Sequence, residues 1–299
     1  MNELIKLTTE RNIDVEKWAN AKAILRPYTA GTIYLPNGES YKYPNGVNLI
    51  ILGNDVMSTC ERPWSEGTVA LAFNEMLEKR GKGPFSVLEL GFGLGIAARK
   101  TMKYLNLYGG SYDVIELNHD ISERARSWGD AQNRSRTISR DNLPVSPNKA
   151  VGVRIYEGDA QRAIAKRAKL IREGRASRVD IIIADTFPVS KSEEGKGIHD
   201  LQYLDSLSEC LSDDGILLYY PFFPGSSGGI TSEQEHLIRN NFGDFRSLRI
   251  PNKSLPEPLN PPPSYKYWWD EKNYPIRSIS IGILQNPFRN NNNMLITDK

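Results

Sequence analysis

The sequence predicts an α/β fold in which a mostly parallel sheet carries helices on both faces. Two observations support this class. From residue 65 onward, short apolar runs alternate with stretches of helical periodicity, as in strand–helix–strand units. Each apolar run is nearly continuous, which is typical of strands that are buried on both faces. The composition agrees, because 39% hydrophobic and 25% charged residues are ordinary values for a globular protein.

The first fifty residues are predicted to form an extension in front of this sheet. Apolar residues spaced among charged ones predict one or two helices within residues 1–30. A Pro-Asn-Gly tripeptide at 36–38 then separates two β-prone runs, residues 32–35 and 41–43. Because Asn-Gly tolerates the positive φ of a tight turn, this segment predicts a hairpin. Residues 47–52 predict one further strand.

The rest of the chain is predicted to alternate between strands and helices. Strands are predicted at residues 85–90, 112–117, 151–156, 179–184 and 216–220. Helices are predicted at residues 65–80, 96–105, 120–128, 160–172 and 201–211. A last β-prone run at 277–284 is interpreted as an edge strand. Parallel pairing of the strands follows from the helices that separate them.

Three segments interrupt this alternation. Residues 131–150 are polar and are interpreted as a long flexible loop. Residues 251–275 are rich in proline and aromatic residues, and residues 286–299 include four consecutive asparagines. We therefore divide the chain into an extension at 1–50, a main domain at 51–285 and a flexible tail at 286–299.

The composition argues against several classes of protein. A net charge of +2 does not indicate a charge-driven nucleic-acid binder. The absence of a run of about 18 apolar residues argues against a membrane span. The two cysteines, Cys60 and Cys210, are too few for a disulfide scaffold or a multi-cysteine zinc site, so we expect no metal. Without a basic segment followed by an apolar one at the N-terminus, we expect a cytoplasmic protein.

The most informative stretch lies at residues 87–95, Val-Leu-Glu-Leu-Gly-Phe-Gly-Leu-Gly. A buried strand leads directly into three glycines and then into a helix, so the backbone can turn tightly and approach a ligand closely. The dinucleotide fingerprint needs its third glycine one residue later, where this chain has Ile96. With Glu89 in front, the spacing is similar to motif I of S-adenosylmethionine-dependent methyltransferases.

Three acidic residues follow the predicted strands. Glu116 lies 21 residues after Gly95, where a carboxylate can accept hydrogen bonds from both hydroxyls of a ribose. Asp159 follows the next strand and could bind the amino group of an adenine, and Asp185 follows four apolar residues at the end of the fourth strand. The alternative interpretation is structural: the glycines form only a tight turn, and the acids cap helices.

Several short motifs taken together resemble guanidinoacetate N-methyltransferase and, more distantly, the arginine delta-N-methyltransferases. The resemblance covers residues 47–220. It includes a Glu-x-Pro at 61–63, the Gly-Phe-Gly at 91–93, an Ile-Glu-x-Asn at 115–118 and an Asp-Thr-aromatic-Pro at 185–188. It implies a Rossmann-like class I methyltransferase fold with a mostly parallel, seven-stranded sheet and S-adenosyl-L-methionine as the cofactor.

The resemblance also implies the catalytic pair. Glu61 and Asp185 match the two carboxylates that hold the guanidinium of the acceptor in that family. A guanidinium is a planar cation that carboxylates bind with two parallel hydrogen bonds. Its nitrogen is a poor nucleophile, and an adjacent anion favours removal of its proton as the methyl group arrives. In isolation, Glu61 reads as a surface cap or as a partner of Arg62.

Further residues carry over by position. The residues that the resemblance implies around the cofactor are Met57, Ser65, Glu89, Gly91, Phe92, Gly93, Leu94, Gly95, Ile96, Glu116, Leu117, Asn118, Asp159, Ala160 and Asp185. Those implied around the acceptor are Glu61, Asp185, Phe187, His199, Phe222 and Phe223. Because the side chains at 222 and 223 differ from those of the family, arginine or an arginine-derived guanidino acid is favoured over guanidinoacetate. The partner is thus expected to be a small molecule.

One rival enzyme has a similar pattern. Aminopropyltransferases of the spermidine synthase type also combine a glycine-rich loop, a following acid and an aspartate at the fourth strand. Their sites usually carry further acids for a polyamine. Here Asp185 is followed by two lysines and only Glu193 and Glu194, so the match is poorer.

Overall fold

The computed structural model describes residues 2–34, 40–43, 45–59, 62–139, 151–186, 189, 203–219, 232–251 and 278–287. The helices in this part of the chain are α1 (Asn2–Ala19), α2 (Arg62–Arg80), α3 (Ile96–Tyr108), α4 (His119–Ser139), α5 (Ala160–Arg172), α6 (Leu204–Cys210) and α7 (Ser232–Asn241). The strands are β1 (Ala23–Tyr28), β2 (Gly31–Tyr34), β3 (Ser40–Tyr43), β4 (Gly46–Ile51), β5 (Asn54–Ser58), β6 (Phe85–Leu90), β7 (Gly110–Glu116), β8 (Val151–Glu157), β9 (Val179–Ala184), β10 (Leu211–Tyr219), β11 (Phe242–Pro251) and β12 (Ser278–Pro287).

The large sheet has the strand order β11-β12-β10-β9-β6-β7-β8. Five of these strands, β8, β7, β6, β9 and β10, pair in parallel, and β12 runs antiparallel to both of its neighbours. The order reverses at β6, so ligands are expected beyond the carboxyl ends of β6 and β9. The predicted Rossmann-like fold with a mostly parallel sheet is confirmed.

Two hydrophobic clusters cover the two faces of the sheet. Alternate residues of β9 show the division, because Ile181 and Ile183 belong to one cluster while Ile182 and Ala184 belong to the other. The first cluster includes residues of α2, α3 and α4, and the second includes residues of α5, α6 and α7. Full burial of one aliphatic side chain contributes about 1.5–3 kcal/mol, so the sheet is held from both sides.

The edge-strand prediction for residues 277–284 is wrong. The strand in that region, β12, lies between β10 and β11 and is paired along both of its edges. The sequence pattern does not predict β11, which forms the outer edge. Its beginning, Phe-Gly-Asp-Phe-Arg at 242–246, has no continuous apolar run that would predict a strand.

The N-terminal extension is partly strand where helices were predicted. The helix α1 ends at Ala19, and Ala23–Tyr28 pairs with β4 as the edge of a three-stranded antiparallel sheet, β1-β4-β5. A helix through this segment would contain Pro27, which removes an amide donor and clashes with the preceding turn. The hairpin is present as β2 paired with β3. The boundary placed at residue 50 falls inside β4.

The loop predicted at 131–150 is wrong for residues 131–139, which continue α4. The polar composition of residues 131–139 does not predict a helix, because these residues lack the apolar periodicity of an amphipathic helix. The Asn133 side chain accepts a hydrogen bond from the Val153 amide (3.3 Å) and donates one to its carbonyl (3.2 Å). The helix is therefore fastened to the outer edge of β8 by an amide. Residues 140–150 lie outside the described part.

No helix among the described residues is both long and apolar enough to cross a membrane.

Candidate functional site

The glycine loop connects the end of β6 to the start of α3. Gly91, Gly93 and Gly95 all have positive φ, at 85°, 52° and 67°. The Gly91 amide donates to the Ile115 carbonyl (2.8 Å), and a Cβ at Gly91 would clash with the carbonyl oxygen of Asp185. Glycine is therefore required here for its backbone conformation and for the close approach of the ends of β6 and β9.

Two side chains pack directly on this loop. The Leu94 amide points at the Met57 sulfur (3.2 Å), and a Cβ at Gly93 would lie 2.8 Å from the same atom. The Phe92 ring covers Gly95, where an added Cβ would lie 2.7 Å from the ring, and it packs 5.5 Å from Trp128 between centroids. The structure thus brings Met57 from β5 to the loop.

Glu116 ends β7 and turns its buried carboxylate toward the same loop. Its Oε2 accepts from the amides of Phe92 (2.8 Å) and Gly93 (3.4 Å), and its Oε1 accepts from the Asn118 amide (2.8 Å). Burial raises the pKa of Glu116, and these backbone donors oppose that shift. The carboxylate is held in place by backbone amides rather than by a cation.

The pKa of Glu89, in β6, is shifted further from its ordinary value than that of Glu116. Its side chain is buried, and its Oε2 has no hydrogen-bond partner among the described residues. Burial, followed by the negative charges of Asp185 and Glu116, raises its pKa well above the ordinary value, while Arg99 acts in the opposite direction. The carboxylates of Glu116 and Asp185, at the ends of the two neighbouring strands, therefore lie close enough to act on Glu89.

Asp185 lies where β9 ends, beside the glycine loop. Its amide donates to the Leu90 carbonyl (3.1 Å), which fixes the backbone at the point where the parallel strands separate. Position at a topological switch point is typical of catalytic groups in open α/β sheets.

Asp159 is the N-cap of α5, and its Oδ1 accepts from the Gln161 amide (3.4 Å). Its carboxylate also binds the guanidinium of Arg11 through two hydrogen bonds, Nη1 to Oδ2 (2.9 Å) and Nη2 to Oδ1 (3.2 Å). The sequence does not predict this role of Arg11, because nothing in the pattern of α1 relates it to a residue 148 positions later.

Asn118 joins the site to the N-terminal extension. Its side-chain Nδ2 donates to the carbonyls of Trp18 (2.9 Å) and Ala21 (2.7 Å), and its side-chain oxygen accepts from the Ile121 amide (3.2 Å). The side chain therefore caps α4 and holds the end of α1. A direct hydrogen bond from this side chain to a cofactor would compete with these contacts.

The other predicted residues differ in their surroundings. Ser65 is buried near the start of α2, and its hydroxyl has no partner among the described residues. Ile96 is buried at the start of α3, and Leu117 and Ala160 are partly buried against the core. The predicted residues that lie outside the described part of the chain are Glu61, Phe187, His199, Phe222 and Phe223.

A second group of polar side chains lies near the end of β8. The exposed side chains of His119, Glu123 and Glu157 place potential metal-ligand atoms within 4.8 Å of one another. Arg126 donates to both glutamates, and His119 Nδ1 lies 3.1 Å from Glu157. These carboxylates already bind a cation of the protein, so the group is an ion-pair network on the surface.

Comparisons with known proteins give similarity in fold only. No protein-family model and no curated protein matches the sequence significantly. Among solved structures, spermidine synthase bound to the transition-state analogue AdoDATO is 13% identical, with a TM-score of 0.49 over 87% of this chain and 72% of that one. Spermidine synthase from Thermotoga maritima is 14% identical (TM-score 0.48, 87% and 72%). Human methyltransferase-like protein 13 with SAH is 13% identical (0.43, 76% and 81%).

Proposed function

We propose that this protein is an S-adenosylmethionine-dependent N-methyltransferase that acts on the guanidino group of a small molecule. The observation that carries the proposal is the cluster of Glu89, Glu116 and Asp185 around a glycine loop. Within the described residues, neither Glu89 nor Glu116 forms an ion pair. Negative charge gathered in this way favours ligands that bring positive charge.

S-adenosylmethionine fits these residues by its chemistry. It combines a ribose with an ammonium and a sulfonium, and when bound it supplies an electrophilic methyl group. In this proposal Glu116 accepts hydrogen bonds from the ribose hydroxyls beside those from backbone amides, and the buried Oε2 of Glu89, which has no partner among the described residues, offers an acceptor to the cationic part. The open turn of the glycine loop lets the backbone approach the methionine portion.

The guanidino acceptor is supported by Asp185 and by the motif resemblance. Asp185 lies at the switch point beside the loop, and Glu61 completes the implied pair of carboxylates. A protonated guanidinium placed between two carboxylates is fixed in one plane, and the reacting nitrogen can be aligned with the methyl group and the sulfur at about 3 Å.

Asp185 then acts as the proton acceptor. The cofactor, when bound, would supply the methyl group to the nitrogen and would keep the electron pair of its carbon–sulfur bond as a neutral thioether. The nitrogen would carry an extra proton, and the Asp185 carboxylate removes it. Glu61 holds the remaining N–H groups and stabilises the positive charge.

Calorimetric titration tests the proposal in two steps. S-adenosylhomocysteine should bind the chain, and arginine and guanidinoacetate should then bind in its presence, arginine more tightly. Decarboxylated S-adenosylmethionine is the comparison ligand, since preferential binding of that compound would indicate aminopropyl transfer. The acceptor assignment is contradicted if no guanidino compound binds to the cofactor complex.

A further inference from the structure

We propose that the ion pair between Arg11 and Asp159 is a latch that holds α1 over the adenosine end of the cofactor site, so that cofactor exchange requires this latch to open. The proposal rests on the proposed function for the identity of the ligand. The latch itself is argued from contacts of this chain.

The first observation is the geometry of the pair. Arg11 makes two hydrogen bonds to the Asp159 carboxylate, and the exposed fractions of the two side chains are only 22% and 8%. A bidentate, partly buried pair is stronger and more specific than an ordinary surface ion pair. A second contact supports the same end of α1, because Arg162 of α5 donates to Asn12.

The second observation is the fixed end of the same helix. Asn118 donates to the carbonyls of Trp18 and Ala21, and the Asp120 carboxylate accepts from the Ala23 amide (3.0 Å). Asn118 is buried, and these bonds connect the end of α1 to the backbone that follows Glu116. One end of α1 is thus anchored beside β7, and its middle is held beside β8.

These two attachments place α1 across the carboxyl ends of β7, which ends at Glu116, and of β8, which precedes Asp159. The adenosine portion of the proposed cofactor is assigned to these two acids. A ligand there would lie beneath or beside α1, and the ion pair is the attachment that can exchange with solvent. The buried amide contacts of Asn118 are the natural hinge, because breaking them leaves buried backbone groups unpaired.

The latch and simple competition predict opposite effects of Arg11→Gln on ligand binding. If Arg11 only competed with adenine for the Asp159 carboxylate, Arg11→Gln would tighten binding while Asp159→Asn would weaken it. If the pair is a latch, both substitutions open α1. Both should then increase the dissociation rate of S-adenosylhomocysteine by about tenfold.

Stopped-flow kinetics on the full-length chain makes this comparison. Arg11→Gln, Asp159→Asn and the charge exchange Arg11→Asp with Asp159→Arg are measured beside Arg175→Gln, a control that removes an arginine from the exposed pair with Glu173. We expect faster exchange in the two single variants, partial restoration in the double variant and no change in the control. Added salt should accelerate exchange in the wild type but not in Arg11→Gln.

Hydrogen exchange of the ligand-free chain tests the latch without any cofactor. Amides of residues 2–15 should exchange faster in both single variants, while those of residues 18–23 keep their protection. Opposite effects of Arg11→Gln and Asp159→Asn on binding, or unchanged exchange of α1 in both, would overturn the latch. Failure of the wild type to bind any adenosyl compound would instead overturn the proposed function, and hydrogen exchange would still decide the latch.

Discussion

The carboxylates at the two ends of the parallel strands have opposite surroundings. At the amino ends, Asp180 in β9 accepts hydrogen bonds from the amide (2.7 Å) and the hydroxyl (2.8 Å) of Ser86 and pairs with Arg80. At the carboxyl ends, Glu116 is held by backbone amides, and Glu89 has an oxygen without a partner among the described residues. Asp159, which follows β8, is paired with Arg11, but in the described part of the chain neither Glu89 nor Glu116 forms an ion pair with a cation of the protein.

Asp113, in the middle of β7, shows that the fold supplies cations where it needs them. This buried carboxylate accepts from Arg154 at 2.6 and 3.0 Å and from Arg167 at 3.3 Å. The chain contains 38 lysines and arginines, so cationic side chains are not scarce. The difference between the two ends is therefore one of placement, and under the proposed function it reflects ligand binding at the carboxyl ends.

The largest effect is expected from Asp185→Asn. This change keeps the size of the side chain but removes the proposed proton acceptor, and general-base catalysis contributes about 10²- to 10⁴-fold. The turnover number for methyl transfer to arginine should fall by about 1,000-fold, measured by mass spectrometry. Binding of S-adenosylhomocysteine should stay within a few-fold, and Asp130→Asn on the exposed side of α4 is the matched control.

Glu116→Gln should weaken cofactor binding rather than catalysis. The glutamine keeps one acceptor oxygen but loses the charge that strengthens hydrogen bonds to ribose hydroxyls, and a charged hydrogen bond contributes about 1.5–3 kcal/mol. We expect the dissociation constant to rise about 10- to 100-fold by calorimetry. Glu78→Gln, on the exposed end of α2, should bind as the wild type does; an equal loss in both variants would contradict a specific role.

Asp180→Ala tests the amino ends of the parallel strands. It removes the acceptor of the Ser86 amide and the partner of Arg80, so the free energy of unfolding should fall by about 1–3 kcal/mol in a urea titration. Cofactor affinity of the folded fraction should not change. A variant of normal stability with impaired cofactor binding would reverse the comparison between the two ends of the strands.

Glu89→Gln should give the smallest effect, with a dependence on pH. Because burial raises the pKa of Glu89 in the folded protein, the native state binds its proton more tightly than the unfolded chain, whose ordinary value is 4.5. The wild type therefore loses stability as pH rises above about 4.5, and the neutral glutamine avoids this loss. At pH 8 the variant should melt about 2–4 °C higher, and the difference should vanish near pH 4. A lower melting temperature at pH 8 would contradict the assigned cause.

The parallel core of the fold was predictable because short, mostly apolar stretches alternate with segments of helical periodicity. The predicted strands at 85–90 and 179–184 match β6 and β9, and the helix at 160–172 matches α5. β11 was missed because its polar residues do not predict a strand without knowledge of its partner β12. The last turns of α4 were missed because Asn133 holds them to β8 by an amide rather than by an apolar face.

The residues of the candidate site were predictable only where functional side chains lie at or directly after the ends of strands. The glycine loop, Glu116 and Asp185 could be placed from spacing alone, and the structure brings them together with Met57 from β5. Arg11 could not be found, because an ion pair across 148 residues leaves no trace in local periodicity. The acceptor residues implied by the resemblance outside the described part remain predictions.

The most direct test of the central claim is a turnover assay with methyl-labelled S-adenosylmethionine and arginine. If the carboxyl ends of the strands bind a sulfonium donor beside a guanidinium, mass spectrometry will find the label on a guanidino nitrogen of arginine or of a close analogue, and Asp185→Asn will lower the rate of labelling by about 1,000-fold. Absence of labelled product from every guanidino compound, with the cofactor bound, would contradict the account.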